Sequence, residues 1–163
     1  MNTIDISLHG IRELTRINTI NRWELMRYNG SPVKVTLNTQ WHTAADAHEI
    51  TLSIGTRYTT VRNMISRLLI DYNIELTFAT SGDDNELYTG TIGRSPSLPP
   101  QLATVMLSVG IGSLRGMMAS RTAGSMLARY PLPIINVSEL VSRIAYGSMP
   151  AANSVPLSGL IYE

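Results

Sequence analysis

The strictest constraint on the fold is the stretch LLIDYNIELTF, residues 68–78. Leu68, Ile70, Tyr72, Ile74, Leu76 and Phe78 share one parity, while Asp71, Asn73, Glu75 and Thr77 take the other. Alternation sustained this long puts successive side chains on opposite faces of an extended chain, so the stretch reads as a strand with one dry face. VKVTL (33–37) repeats the pattern with Val33, Val35 and Leu37, and EITLSIGTRYTTVR (49–62) repeats it with Ile50, Leu52, Ile54 and Tyr58. Gly55 interrupts the latter and marks a bulge or a close approach. Residues 3–17 alternate weakly through Ile4, Ile6 and Leu8 before the pattern shifts at Ile11 and Leu14. Asn29-Gly30-Ser31-Pro32 is a turn signal. SGDDNE (81–86) followed by LYTGTIG (87–93) predicts an antiparallel hairpin, giving a meander of about four strands in the first hundred residues.

Beyond PSLPP (96–100), which cannot continue a strand, the period changes. QLATVMLSVGIGSLRGMMASRTAGSML (101–127) places Leu102, Val105, Met106, Val109, Leu114, Met117 and Met118 near a 3.6-residue repeat, a helix with an expected break or close contact at Gly110, Gly112 and Gly116. SELVSRIAYG (138–147) predicts a second, shorter helix capped by Ser138, with Leu140, Val141 and Ile144 inward and Gly147 at its end. The expected architecture is α+β: an antiparallel four-stranded sheet, one long helix and a shorter C-terminal helix. Residues 1–147 form one domain and 148–163 an extended C-terminal tail, in keeping with the chain's 163 residues.

Between the helices lies RYPLPIINVSEL (129–140), with two prolines ahead of Ile134, Ile135 and Val137. Prolines fix φ and withhold backbone donors, so the segment can stay extended without ladder partners. Its apolar side chains then either seal the sheet or face outward.

Thirteen basic and 12 acidic residues are interspersed, for a net charge of +1, so electrostatic capture of nucleic acid is not indicated. Cysteine is absent, which removes disulfides, thiolate nucleophiles and cysteine-based zinc sites. MNTIDISLHGIREL lacks a signal-peptide pattern, and no stretch reads as the roughly 18 apolar residues of a membrane span, so the expected address is the cytoplasm, without membrane insertion.

Catalytic signals are weak. GIGSLRG (110–116) is not a dinucleotide fingerprint and sits inside a helical pattern, where small residues more simply admit a neighbouring helix. His9, His42 and His48 match no metal-ligand spacing, so no metal or other cofactor is expected. Asp71 and Glu75 share a strand face where paired carboxylates could do acid–base work, although an exposed sheet face explains them more simply. No nucleophile elbow occurs, and the expectation is a protein that is not an enzyme. Asn136-Val137-Ser138 is formally a glycosylation sequon, discounted without a secretory signal. Met106, Met117, Met118 and Met126 either fill the core or form an adaptable apolar surface.

The order of these pieces resembles the bacterial export chaperone SecB and its divergent relatives. PVKVTLNTQWHTAADAHEITLSIGTRYTT (32–60) is similar to the family's second strand, crossover loop and third strand, and LLIDYNIELTF to its fourth. SLRGMMASRTAGSMLARYPLPIINVSEL (113–140) resembles the long helix, the glycine-ended turn, the proline-rich linker and the start of the last helix. The resemblance implies an ATP-independent chaperone that holds non-native polypeptide clients in a hydrophobic groove. Val33, Val35, Leu37, Leu132, Ile134, Ile135, Val137 and Leu140 would line it. It also implies a homotetramer, a dimer of dimers with Gly110, Gly112 and Gly116 at the long-helix interface. Asp71 would dock the motor SecA, and a toxin–antitoxin pair is the other partner class. The chain departs from the acidic export members by its slight basicity, and its tail has no counterpart in the family. A different reading is a structural assembly subunit, such as a phage or virus particle component, whose apolar arms, Val155–Tyr162 among them, bury against neighbours.

Overall fold

A computed structural model describes residues 5–17, 22–43, 48–81, 98–146 and 153–157. Strand β1 (Asp5–Glu13), helix α1 (Arg22–Met26), β2 (Val33–Thr43), β3 (Glu49–Arg62) and β4 (Ile65–Ser81) are followed by the long helix α2 (Pro100–Thr122). A 3-10 turn (Met126–Arg129), helix α3 (Val137–Tyr146) and β5 (Asn153–Leu157) complete the order. The strands form one sheet in the order β1-β4-β3-β2-β5, and every neighbouring pair is antiparallel. The expected α+β architecture holds, and a fifth strand of five residues, drawn from the tail, extends the sheet.

The alternation in the sequence becomes the two faces of the sheet. Ile50, Leu52, Ile54 and Tyr58 of β3 and Ile70, Tyr72, Ile74, Leu76 and Phe78 of β4 are buried in one core with Val33, Val35 and Leu37 of β2. The opposite face carries Thr, Ser, Asn and charged residues. β3 turns into β4 at Asn63 and Met64, both at positive φ (51° and 64°), the geometry that matches a two-residue hairpin to the twist of its strands. The hairpin expected over residues 81–93 lies outside the described residues apart from Ser81.

Two bulges reset the parity. On β1 the register shifts between Leu8 and Gly10, so Leu8 pairs with Phe78 and Ile11 with Leu76 on the same face, which accounts for the shift of pattern in the sequence. On β4 the shift leaves Leu69 between the partners of Tyr58 and Thr59. Leu69 is therefore buried and Leu68, expected inward with Ile70, is 45% exposed.

Helix α2 starts at Pro100, where a missing N–H costs nothing. It lays Leu102, Met106, Leu107, Ile111, Leu114 and Met118 into the core. It runs unbroken through Gly110, Gly112 and Gly116, so of the break or close contact expected there the break does not occur. Gly110 is a contact point instead: a Cβ there would meet Leu52 Cδ2 at 3.0 Å and Ile54 Cγ2 at 3.6 Å, so glycine lets the helix lie close on β3. The chain leaves the helix at Ala123 and Gly124, the latter at φ +76°, and Ser125 caps the 3-10 turn by accepting from the Leu127 N–H. By length and composition α2 could also cross a membrane, which corrects the reading that no stretch qualifies. Its packing on β3 and β4 is that of a core helix.

Helix α3 begins one residue before the expected cap. Asn136 accepts from the Glu139 N–H through Oδ1 at 3.3 Å, so the cap is Asn136, not Ser138. The sequon asparagine is thus spent on capping. Ser138 instead accepts from the Ser142 hydroxyl through its carbonyl.

Candidate functional site

The linker from Pro131 to Asn136 has no regular secondary structure, yet it is pinned. Tyr58 donates its hydroxyl to the Pro131 carbonyl at 3.1 Å, and Arg115 of α2 donates to the Pro133 carbonyl at 2.9 Å. Neither proline offers an N–H, so the two carbonyls are the segment's anchors and both face donors from the domain body. Between them Leu132 is buried. Immediately beyond the second anchor Ile134 stands 97% exposed, followed by half-buried Ile135 and Val137. A stiff, anchored segment that turns a large aliphatic side chain almost wholly to water is an unusual use of a residue that normally sits inside.

The groove residues named from the sequence therefore divide. Val33, Val35, Leu37, Leu132 and Leu140 lie in the core of this chain. Ile134, Ile135 and Val137 remain accessible. The glycines divide as well. Gly110 serves the contact with β3, whereas a Cβ added at Gly112 or Gly116 would meet nothing within 4 Å, on the same side of α2 as exposed Val105 and Val109. Of the methionine stripe, Met106 and Met118 are buried, and Met117 and Met126 pack against the core from its margin, as core filling requires.

Asp71 lies on the polar face and is engaged. Its Oδ2 accepts from Arg57 Nη2 at 2.8 Å and Nε at 3.2 Å, while Oδ1 accepts from Asn73 at 2.8 Å. Glu75 is paired with Arg12 at 2.7 Å. Both pairs are direct cross-strand partners, an ordinary way to stabilise an open sheet face. Gly55 explains its own presence here, since a Cβ would fall 1.7 Å from Asn73 Oδ1. Among the histidines, His42 and His48 are exposed and His9 approaches Glu49 at 3.8 Å. Among the described residues no three metal-ligating side chains converge.

Two features carried no sequence signal. Glu13 ends β1 and accepts from Arg121 of α2 through both oxygens at 2.7 and 2.6 Å, and from the Tyr72 hydroxyl of β4. The hydrogen bond from Arg121, then that from Tyr72, holds the Glu13 carboxyl down from 4.5 to about 2. Burial first, then the bond to Glu13, pushes the Tyr72 hydroxyl up to about 12. A cleft of about 420 Å³ beside this latch is lined by Glu13, Arg16, Ile17 and Arg121. The second feature is a set of exposed apolar side chains at the β3–β4 turn and on α1: Val61, Met64, Ile65 and Leu68 on the ribbon and Trp23 and Met26 on the helix, Met64 being fully exposed. α1 is tied to this end of the sheet by the Arg67–Glu24 ion pair.

No protein-family model and no curated protein matches this sequence. Among solved structures the chain is similar to a SecB-like chaperone of Mycobacterium tuberculosis in complex with a ChAD peptide from an antitoxin. Identity is 13%, with 80% of this chain and 86% of that one covered and a TM-score of 0.42. It is also similar to a protein of unknown function from Streptococcus agalactiae, at 14% identity, covering 82% and 99% of the respective chains with a TM-score of 0.33.

Proposed function

We propose that this protein is an ATP-independent chaperone that holds non-native polypeptide against exposed apolar surface and catalyses no reaction. The observation that carries the reading is the presentation of Ile134 on an anchored, proline-stiffened linker. Ile135 and Val137 extend that surface. Burial of one such side chain by a guest is worth about 2 kcal/mol, and ordering a flexible guest removes several kcal/mol, so one chain alone binds weakly. Linked weak sites gain avidity without new contacts, which is what a small oligomer supplies. The open side of α2, with Gly112 and Gly116 between Val105, Val109 and the helix end, suits pairing of long helices in a homotetramer built as a dimer of dimers. A toxin–antitoxin pair is the partner class that fits better than the motor SecA, because Asp71 is already neutralised by Arg57. The setting we propose is the cytoplasm.

The test is suppression of aggregation of reduced α-lactalbumin without nucleotide. Replacing Ile134 and Ile135 together by Ser should abolish suppression while far-UV circular dichroism and the mass by light scattering stay unchanged. Undiminished suppression by that variant defeats the proposal.

An assembly subunit is the second reading, favoured by β1. Its outer edge has no partner strand among the described residues, and Leu8, Ile11 and Leu14 are exposed there. That reading predicts concentration-dependent growth into large assemblies rather than one defined oligomer.

A further inference from the structure

The two edges of the sheet differ: β1 has no outer partner strand among the described residues, whereas β2 is covered in part by the chain's own tail. β5 pairs with β2 from Val35↔Leu157 through Leu37↔Val155 to Thr39↔Asn153. β2 itself runs for 11 residues, so among the described residues nothing pairs on that side of Val33, Lys34 or the stretch from Gln40 to Thr43. The cover is short. It is also built around Pro156, opposite Thr36. A proline is tolerated in a sheet only where its nitrogen points away from the ladder, on an edge strand. Because successive N–H groups of a strand point to opposite sides, Val155 and Leu157 are left to donate into β2, and they receive from Leu37 and Val35. β5 therefore holds its place with few backbone bonds and cannot accept a full ladder on its outer side.

The covered stretch coincides with the anchored linker. Val35 pairs with Leu157 on one side and with Tyr58 on the other, and the Tyr58 hydroxyl binds the Pro131 carbonyl. One rung of the sheet thus runs from the tail strand through β2 and β3 to the start of the linker rim.

We infer that β5 is a displaceable placeholder on a strand-accepting edge of β2, and that the ligand of this edge is an extended polypeptide that adds to the sheet by backbone pairing. This deepens the chaperone reading and rests on it. Main-chain pairing supplies affinity without regard to sequence, as a holder of many clients requires, and alternate apolar side chains supply the preference. Such a ligand needs N–H groups at the alternate positions that face β2, and apolar residues two apart. The tail meets both conditions through Val155 and Leu157, but it pairs with only five of the 11 residues of β2, Val35 to Thr39. A longer strand makes more backbone bonds and can therefore displace it. The tether is brief, from Tyr146 to Asn153. A connection this short gives an effective concentration on the order of 1 mM. A strand with an intrinsic Kd of about 0.1 mM would then be seated about nine-tenths of the time, lowering the apparent affinity for an outside strand about tenfold.

The experiment compares three forms: the full chain, Val155→Pro, which removes an inward donor without shortening the chain, and a chain ending at Gly147. The probe is a fluorescein-labelled peptide of residues 151–163, read by anisotropy, with reduced α-lactalbumin as client. Both altered forms should bind the peptide about tenfold more tightly than the full chain. Backbone hydrogen exchange reports the site. In the full chain, adding α-lactalbumin should keep the Val35 and Leu37 amides protected while those of Val155 and Leu157 lose protection, and β1 should be unaffected. This last measurement uses the unaltered protein and does not depend on either variant folding. Equal peptide affinity in all three forms overturns the inference, as does client protection appearing on β1. A fall in oligomer mass on truncation also overturns it, because β5 would then be exchanged between copies. If the tail gates peptide binding as described but no form holds α-lactalbumin, the chaperone reading fails and the edge stands. If holding is intact and indifferent to the tail, the reverse is true.

Discussion

The β3–β4 ribbon and the linker from Pro131 to Val137 are both rich in large aliphatic residues, and they treat them in opposite ways. In the ribbon, Ile54, Ile70, Ile74 and Leu76 are all sealed, because a two-residue period leaves each side chain one of two faces and helix α2 with its neighbours covers one of them. In the linker no period exists. Leu132 is buried and Ile134 is bare, although they are two residues apart and chemically alike. What separates them is a pair of anchors on the Pro131 and Pro133 carbonyls, supplied by Tyr58 and Arg115. Pattern decides burial where the backbone is regular; in the linker, distant donors decide it.

The sharpest test of that contrast exchanges one isoleucine from each region for alanine. Ile74→Ala leaves a cavity in a close-packed core and should cost about 2–5 kcal/mol in chemical denaturation. Ile134→Ala should change stability by no more than about 0.5 kcal/mol, since the side chain is 97% exposed. A large loss at Ile134 would mean that the linker is core after all. Next in size is Gly55→Ala. The new Cβ would sit 1.7 Å from Asn73 Oδ1 and 2.5 Å from its Cγ, so Asn73 must abandon its bonds to Asp71 and Thr15. The loss should be about 1–3 kcal/mol. Combining it with Asn73→Ala should cost about 1 kcal/mol less than the sum of the two single changes, a coupling that a mere backbone-strain explanation does not predict.

The same contrast explains what could be read from the sequence. LLIDYNIELTF, VKVTL and the Ile50–Tyr58 stretch announce their strands and most of their inward residues, because period and burial are one fact there. Leu68 is the exception: a single bulged residue, Leu69, reverses the parity, and no composition marks a bulge. The unbroken α2 was hidden for a related reason, since three glycines in seven positions weaken a helix on its own and only packing on Leu52 and Ile54 shows why the first is there. In the candidate site, the sequence marks the linker as stiff and apolar but does not separate Leu132 from Ile134. That distinction rests on Arg115, 18 residues away, and Tyr58, 73 residues away. The exposed Met64 escaped because positive φ at Asn63 and Met64 is usual for the first residue type and rare for the second.

Removing an anchor tests the linker directly. Arg115→Met keeps most of the aliphatic stem and removes the donor to the Pro133 carbonyl, which should cost about 0.5–1.5 kcal/mol. Tyr58→Phe does the same at Pro131 and should cost about as much. Neither should disturb the ribbon, so the added hydrogen exchange and proteolytic cutting should be confined to the linker and the start of α3. Client holding should fall with the anchor, because a slack linker can turn Ile134 inward. An anchor loss that loosens β3 and β4 instead would merge the two regions into a single cooperative unit.

The smallest effect belongs to the latch that fastens the ribbon to its edge strand and helix. Glu13 has its pKa lowered from 4.5 to about 2 by Arg121 first and Tyr72 second, so its contribution is fully present above the unfolded value and is lost as pH falls through the folded one. The difference in Tm between the wild type and Glu13→Gln should hence stay constant above pH 5, shrink below about pH 4.5 and approach its minimum near pH 2. Both oxygens of Glu13 face Arg121 at a solvated site, so the difference should also shrink with added salt. The linker contains no ionisable side chain from Pro131 to Ser138. Its anchors are a tyrosine hydroxyl and an arginine, both donating to carbonyls. Acid should therefore loosen the attachment of β1 to α2 while Ile134 remains held out, and exchange at β1 should rise before exchange at the linker does.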